Sequence, residues 1–194
     1  MRGAVSFALL IALAVGCESP IAAPVPRGAE KPRLYHPIAV GTKWEYRQRN
    51  GNAPYRKEVT SVEQREGDYL VTLAYTDIVP KPGDVPTLEQ YAVSERGVFF
   101  LGTDLESPET RIVFDEPFCV LKLPYKRGEK WGGRDEEPHV TGDIETITVP
   151  AGEFECIRVD WQGVPYWYAP GVGLVRNGDD HNALELISFS VPKS

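Results

Sequence analysis

Apolar and polar residues alternate with a period of two along most of the chain after residue 41. In residues 42–47 the aromatic side chains of Trp44 and Tyr46 fall on one face, and the charged residues that flank them fall on the other. Successive side chains of a β-strand point to opposite faces of the sheet, so this period is typical of a half-buried strand. The segment predicts the strand that begins the folded part of the chain.

Eleven further segments have strand character, and short turns rich in glycine separate them. They are residues 56–63, 68–76, 89–94, 98–101, 110–114, 119–123, 143–149, 155–161, 165–168, 173–176 and 183–191. A parallel crossover takes a dozen or more residues, so these short connections favour antiparallel neighbours. No ten-residue stretch has helical periodicity. The pattern predicts an all-β fold, an antiparallel meander that curls into a barrel or half-barrel.

Aromatic residues make up 10% of the chain, enough to fill the concave side of such a sheet. The predicted core contains Trp44, Tyr46, Tyr69, Tyr91, Trp131, Phe154, Trp161 and Tyr168. Packing alone explains aromatic residues in a core. The alternative is that some of them line a ligand cavity, as in eight-stranded lipid carriers. The candidates for that lining are Trp44, Tyr46, Trp131, Trp161 and Tyr168.

The N-terminus has the form of an export signal. Arg2 supplies a positive charge, and residues 4–15 are apolar apart from Ser6. Twelve helical residues cover about 18 Å, which is less than the roughly 30 Å of a bilayer core. The segment therefore predicts a secretory signal and not a membrane span.

The residues that follow, Leu13-Ala14-Val15-Gly16-Cys17, resemble the bacterial lipobox, with alanine where leucine is usual at position 14. The resemblance implies that residues 1–16 are a lipoprotein signal peptide and that Cys17 is lipidated, with acyl chains such as palmitate. Two or more acyl chains hold a protein stably on a membrane. By resemblance to enterobacterial sorting, Glu18 favours the outer membrane, with the domain on its periplasmic or surface face. The alternative is a cleaved, soluble exported protein with an incidental cysteine.

Residues 17–33 contain four prolines and no periodicity, which predicts an extended tether after the acylated cysteine. Residues 34–194 are then a single β-rich domain. The whole chain carries 21 basic and 28 acidic residues, a net charge of −7, with no basic cluster. This balance excludes nucleic-acid binding as a main function.

Candidate chemistry in the chain is sparse. Cys119 and Cys156 predict either one disulfide, as an exported compartment allows, or two buried thiols. Asp179, Asp180 and His181 are interpreted as a polar turn and not as a metal site, because no further ligands follow at regular spacing. No nucleophile, metal-protease, phosphate-loop or thiol-redox motif is present, so we expect no catalytic residues, metal or cofactor.

Three segments resemble uncharacterised bacterial lipoproteins with a DUF3108-like β-rich domain. They are an opening of the form P-x-x-x-G-x-x-W-x-Y in residues 35–46, a V-P-A-G-x-F motif in residues 148–156, and Y-A-P-G-V-G-L-V in residues 166–175. The resemblance implies a secreted or lipid-anchored β-rich protein. It implies no catalytic residues.

The sequence therefore predicts a lipid-anchored cell-envelope protein that is not an enzyme, a binding or envelope-support module. Its expected partners are the membrane, through Cys17, and either an apolar ligand or another envelope protein. One alternative is a carrier of a lipid or other apolar ligand in the concave face of the sheet. A less favoured alternative is an envelope glycan hydrolase that uses paired carboxylates.

Overall fold

The structure is a computed structural model that describes residues 34–51, 54–78, 85–104, 112–132 and 137–193. Among these residues, twelve strands form one sheet. They are β1 (Lys43–Gln48), β2 (Tyr55–Arg65), β3 (Asp68–Asp77), β4 (Thr87–Ser94), β5 (Gly97–Asp104), β6 (Ile112–Lys122), β7 (Lys130–Trp131), β8 (His139–Val149), β9 (Gly152–Trp161), β10 (Val164–Ala169), β11 (Gly173–Asn177) and β12 (Leu184–Ser190).

The sheet has the order β6-β5-β4-β3-β2-β1-β12-β11-β10-β9-β8-β7, and every neighbouring pair is antiparallel. This confirms the predicted all-β antiparallel meander. The chain starts in the middle of the sheet, runs outward to β6, and then crosses to the opposite edge at β7 before it returns to β1. The sheet is not closed by a ladder between β6 and β7, so it is a curled half-barrel and not a barrel.

Two strand predictions were wrong in detail. Residues 110–114 and 119–123 were expected as separate strands, but most of both belong to the single strand β6, which continues through Pro117. Proline is tolerated there because β6 is an edge strand, where a ladder bond need not be donated. The two-residue strand β7 was missed because it is too short to show a period.

Connections in an antiparallel meander alternate between the two ends of the sheet. Leu34 lies at the end that carries the β10–β11 turn, since its carbonyl oxygen accepts a hydrogen bond from the Gly171 N–H at 2.9 Å. The β2–β3, β4–β5, β6–β7 and β8–β9 connections lie at the same end, which we call the tether end because residue 34 follows the predicted tether. The remaining connections, among them β1–β2 and β11–β12, lie at the opposite end, the far end.

The central strand β1 is bonded across the concave side to the start of β11. The Trp44 indole N–H donates to the Val172 carbonyl oxygen at 2.7 Å, and the Tyr46 hydroxyl donates to that of Leu174 at 2.8 Å. Both aromatic side chains are buried, as the alternation in residues 42–47 predicts. These bonds satisfy polar groups that the curl of the sheet removes from water.

The two edges of the sheet meet through side chains. The His139 ring lies between the rings of Trp131 and Trp161, with both centroid distances 5.2 Å and interplanar angles of 7° and 5°. Phe118 of β6 packs its ring against His139 and Trp161 at 5.1 and 5.2 Å. The Trp131 indole N–H donates to the Cys119 carbonyl oxygen of β6 at 2.8 Å. We call Phe118, Trp131, His139 and Trp161 the edge clasp.

The predicted signal peptide, Cys17 and the tether lie outside the residues that the structure describes. Among those that it does describe, none forms a helix long and apolar enough to cross a bilayer.

Candidate functional site

A small cavity lies on the concave side of the sheet. Its walls are His36, Trp44, Tyr46, Tyr55, Lys57, Leu73, Tyr91, Val98, Val120, Tyr168, Val172, Gly173 and Leu174, and its volume is about 100 Å³. A water molecule in the liquid occupies roughly 30 Å³, so the cavity has room for a few waters or a very small solute. Pockets for drug-sized ligands measure several hundred Å³. This cavity is thus too small for a ligand of that size.

The segment of residues 34–38, which we call the N-terminal strap, supplies part of the cavity wall. Leu34, Tyr35 and Ile38 pack against the hydrophobic core. The buried His36 ring lies 5.2 Å from the ring of Trp44 and 5.6 Å from that of Tyr91. The strap therefore joins β1 to β4 across the concave side, immediately after the residues expected to form the tether.

Burial determines the protonation of His36. Desolvation lowers the pKa of His36 to about 4. The hydrogen bond between Nδ1 and the Pro37 carbonyl oxygen, at 2.8 Å, raises the pKa, but by less than desolvation lowers it. Gly173 lies beside the ring with a φ of +90°, and a Cβ built there would be 3.6 Å from the His36 Cδ2, an ordinary van der Waals distance. Glycine adopts this backbone conformation at little cost, whereas other residues do not. His36 is neutral at pH 7.

A charged group enters the cavity wall from the β2 side. The Lys57 Nζ lies 2.6 Å from a Glu89 carboxylate oxygen, and the two side chains are only 20% and 16% exposed. The Tyr91 hydroxyl donates to the same carboxylate oxygen at 3.0 Å. Each ionic group therefore has a partner, as groups withdrawn from water require. A solute in the cavity meets an ammonium group already neutralised by a carboxylate.

The tyrosines around this pair are neutral hydrogen-bonding groups. Desolvation raises the pKa of Tyr46, Tyr91 and Tyr168 well above the ordinary value of about 10. Neighbouring Glu89 raises the pKa of Tyr91 further, because a phenolate beside a carboxylate is unfavourable. With its histidine also neutral, the cavity can bind a ligand by stacking and hydrogen bonds. The lowered pKa makes the neutral His36 ring a weak base near neutral pH.

The predicted lining residues separate into two groups. Trp44, Tyr46 and Tyr168 line the cavity. Trp131 and Trp161 belong to the edge clasp instead. The alternation of apolar and polar residues identified all five as inward-facing aromatic residues. How far apart they lie in the folded sheet depends on the order of the strands, and that order cannot be deduced from alternation.

Sequence reasoning missed Lys57 and Tyr55 as cavity residues. Lysine on the concave face contradicts the usual pattern of apolar residues inside and charges outside, so the pattern gave no signal for it. Glu89 two residues before Tyr91 on β4 is the only hint, since residues two apart share a face of a strand. The contacts of the His36 ring with Trp44 and Tyr91 were also not predicted from the sequence.

The two cysteines are free thiols in the structure. Cys156 on β9 is buried and Cys119 on the edge strand β6 is half-buried. Desolvation raises the pKa of Cys119 to about 11 and that of Cys156 to about 12. Both therefore stay protonated near neutral pH and behave as small hydrophobic side chains.

The acidic turn at residues 179–181 is held by its own hydrogen bonds. A carboxylate oxygen of Asp179 accepts the backbone N–H groups of His181 and Asn182 at 2.9 and 3.0 Å. Asp180 pairs with Arg176 and lies 3.8 Å from Arg49. Asp179 and Asp180 thus have structural partners within the chain.

The architecture is similar to that of solved bacterial proteins. A crystal structure of a protein from Bacteroides fragilis, described as exported and of YmcC-like fold, matches with a TM-score of 0.55 and 13% identity over 81% of this chain and 99% of that one. A lipoprotein structure from Parabacteroides distasonis gives a TM-score of 0.49 and 18% identity, over 83% and 100% of the two chains. No protein-family model and no curated protein matches the sequence. The first similarity shows the fold, and the DUF3108-like resemblance stays a prediction.

The pairing of Lys57 with Glu89 yields a first prediction, on stability. Replacing either residue alone, as Lys57→Met or Glu89→Leu, leaves a charge without its partner on the concave side. Each variant is expected to lower the free energy of unfolding by about 2–4 kcal/mol. The loss of unfolding free energy in the double variant should be smaller than the sum of the losses in the two single variants, because the double variant removes both charges. Urea denaturation of the four proteins measures this, and additive losses would contradict the pairing.

The buried histidines yield a second prediction, on pH. Burial lowers the pKa of both His36 and His139 to about 4, whereas an unfolded histidine titrates near 6.5. Above pH 7 both states are neutral and stability is complete. As the pH falls from 7 to 5, only the unfolded state gains protons, so each histidine lowers the free energy of unfolding by about 2 kcal/mol.

The variant His139→Phe keeps a ring in the edge clasp and removes one titrating group. Between pH 7 and 5, the free energy of unfolding of this variant should fall by about 2 kcal/mol less than that of the parent protein, measured by urea denaturation at each pH. His181→Asn, at an exposed turn, is the matched control and should keep the full pH dependence. An unchanged loss in His139→Phe would show that this histidine takes up its proton at the same pH in the fold as in the unfolded chain.

Proposed function

We propose that the protein is a lipid-anchored, non-catalytic binding or support module of the cell envelope. Residues 1–16 direct export, Cys17 carries the acyl chains, and Glu18 directs the protein to the outer membrane. The observation that carries the proposal is the position of Leu34. It lies at the tether end, where its carbonyl oxygen is bonded to Gly171, so the far end of the half-barrel faces away from the anchor.

The tether has the reach for this arrangement. Seventeen residues in a proline-rich extended conformation span about 50 Å, at about 3.1 Å per residue. The strap that follows is packed into the concave side, so tension on the tether is taken up by core contacts of Leu34 and His36. The protein with the same fold from Bacteroides fragilis is described as exported, which agrees with an envelope location.

A non-catalytic role is supported by the state of the ionisable groups on the concave side. Lys57 and Glu89 neutralise each other, His36 is neutral, and the two thiols are protonated near pH 7. Glycan hydrolysis needs two carboxyl groups roughly 5–10 Å apart in a cleft. Among the described residues, the cavity lining itself contains no carboxylate, and the Glu89 carboxylate beside it is bonded to Lys57 and Tyr91. These features favour binding over catalysis.

The carrier alternative is favoured by the aromatic lining and opposed by its size. Trp44, Tyr46 and Tyr168 give the cavity the surface that an apolar ligand prefers. The volume of about 100 Å³, however, is several times too small for an acyl chain with its headgroup. A carrier would have to displace the N-terminal strap to make room.

The anchor is tested by acylation in the full-length protein. Expressed in a bacterium with an outer membrane and fed an alkyne-labelled palmitate, the protein should become labelled and should fractionate with the outer membrane. Cys17→Ser should abolish both, because the thiol that receives the diacylglycerol is gone. Cys119→Ser is the matched control and should keep the label. Labelled, membrane-bound Cys17→Ser protein would contradict the lipobox interpretation.

The choice between module and carrier is tested by native mass spectrometry of the mature lipoprotein released from detergent. A filled concave side predicts the mass of the acylated chain alone. A carrier predicts an additional lipid-sized mass that dissociates on collisional activation. Retention of that mass after Tyr168→Ala would place it away from the cavity, and its loss would move the site to the concave lining.

A further inference from the structure

Strand β8 is paired on one side along its whole length and on the other side only at its beginning. β7 pairs with His139 and Val140, and Thr141 exchanges backbone hydrogen bonds with Gly128 and Glu129 at 2.7 and 2.9 Å. The Tyr125 hydroxyl then donates to the Gly142 carbonyl oxygen at 3.2 Å. Past that point, no strand within the described part of the chain forms a backbone ladder with the open side of residues 144–149. The β8–β9 turn itself is bonded to β12, where the Ala151 N–H donates to the Leu186 carbonyl oxygen at 3.1 Å.

The register shows which backbone groups are left open. The β8–β9 turn joins Val149 to Gly152, and Ile147 lies opposite Phe154. Alternate residues of an antiparallel strand bond to opposite sides, so Val149 and Ile147 bond to β9 across this two-residue turn. Ile144, Thr146 and Thr148 therefore direct their N–H and C=O groups to the open edge. Their side chains are exposed, 48% for Ile144, and lie on the sheet face of Ile157 and Tyr168, whereas Ile147 and Val149 are buried on the opposite face.

Strand β6, at the other edge of the sheet, is better protected than β8 against pairing with another chain. β6 carries Pro117, which has no N–H to offer, and its Cys119 carbonyl oxygen is occupied by the Trp131 indole. Proline, lysine and covering side chains are the devices that keep edge strands from pairing with other chains. Residues 144–149 of β8 contain neither proline nor lysine, and five of the six are β-branched. This composition favours strand pairing.

We propose that residues 144–149 of β8 form a docking edge for an extended segment of another protein, which adds to the sheet as a thirteenth strand. The proposal rests on the proposed binding role and names its surface. Main-chain hydrogen bonds would supply the attachment, and alternate side chains would supply the selectivity.

Charge next to the edge indicates the chemistry of that segment. Glu153 and Glu155 are exposed on β9, directly opposite Thr148 and Thr146. Adjacent strands lie about 4.8 Å apart, so a lysine or arginine on the added strand can reach these glutamates over the short threonines. The segment that fits carries basic residues on the exposed face that Thr146 and Thr148 share, and β-branched residues on the opposite face, beside Ile147.

Two other occupants fit this edge less well. The protein's own residues 17–33 contain Pro20, Pro24, Pro26 and Pro32, which interrupt any ladder. If a second copy of the chain paired through the same edge, Glu153 and Glu155 of both copies would come close together at the interface and repel each other. The net charge of −7 on each chain adds to that repulsion.

The probe for the test is a capped eight-residue peptide of alternating lysine and valine, added to the full-length acylated protein in detergent. We expect saturable binding by fluorescence anisotropy, with amide hydrogen exchange at Ile144, Thr146 and Thr148 slowed at least tenfold. The Ile147 amide, already bonded to β9, should be unchanged. A glutamate–valine peptide of the same length should bind at least tenfold more weakly.

The variant Thr146→Pro removes an edge N–H that is not used within the sheet, and should weaken binding at least tenfold. Thr146→Val keeps that N–H and should bind as the parent does. The inference is overturned if Thr146→Pro binds equally well, or if the three edge amides are already protected without peptide. Protection that rises with protein concentration would assign the edge to a second copy. Acylation at Cys17 is scored on the same samples, so failure of the edge and failure of the anchor are distinguishable.

Discussion

The contact between the two edges of the sheet is the interaction on which the rest of the structure depends. Twelve twisted antiparallel strands do not remain flat, yet twist alone does not determine how far they curl. The edge clasp does so, because His139 between Trp131 and Trp161, with Phe118 against them, brings β6 to β8. Aromatic packing thus replaces the backbone ladder that would close a barrel.

The curl has a consequence for charge. It brings β1, β2 and β4 around a small volume from which water is largely excluded, so ionisable groups there must be paired or neutral. Lys57 and Glu89 are paired, and His36 is neutral. The same constraint keeps His139 neutral inside the clasp. A concave side of this kind is stable near neutral pH and loses stability in acid.

The meander also gives the molecule a direction. Both ends of the described chain lie at the tether end, since Lys43 of β1 is opposite Ser190 of β12 and Leu34 contacts the β10–β11 turn. The open part of β8 runs toward that same end, and finishes at the β8–β9 turn. An anchor at Cys17 would therefore place the docking edge on the membrane-proximal side of the sheet, with the far-end turns directed outward.

The sequence by itself determined the class of fold, because a period of two and short turns require antiparallel strands, as residues 42–47 show. It also placed Trp44, Tyr46 and Tyr168 on the inside. It did not separate these from Trp131 and Trp161, nor identify Lys57 as a concave residue, since alternation reports the face of a residue and not its neighbours across the sheet. Only the tertiary structure decided that the strap lines the cavity, that the thiols of Cys119 and Cys156 are free, and that β8 keeps an open edge. Each of these depends on the order and curl of strands far apart in sequence, which local pattern does not encode.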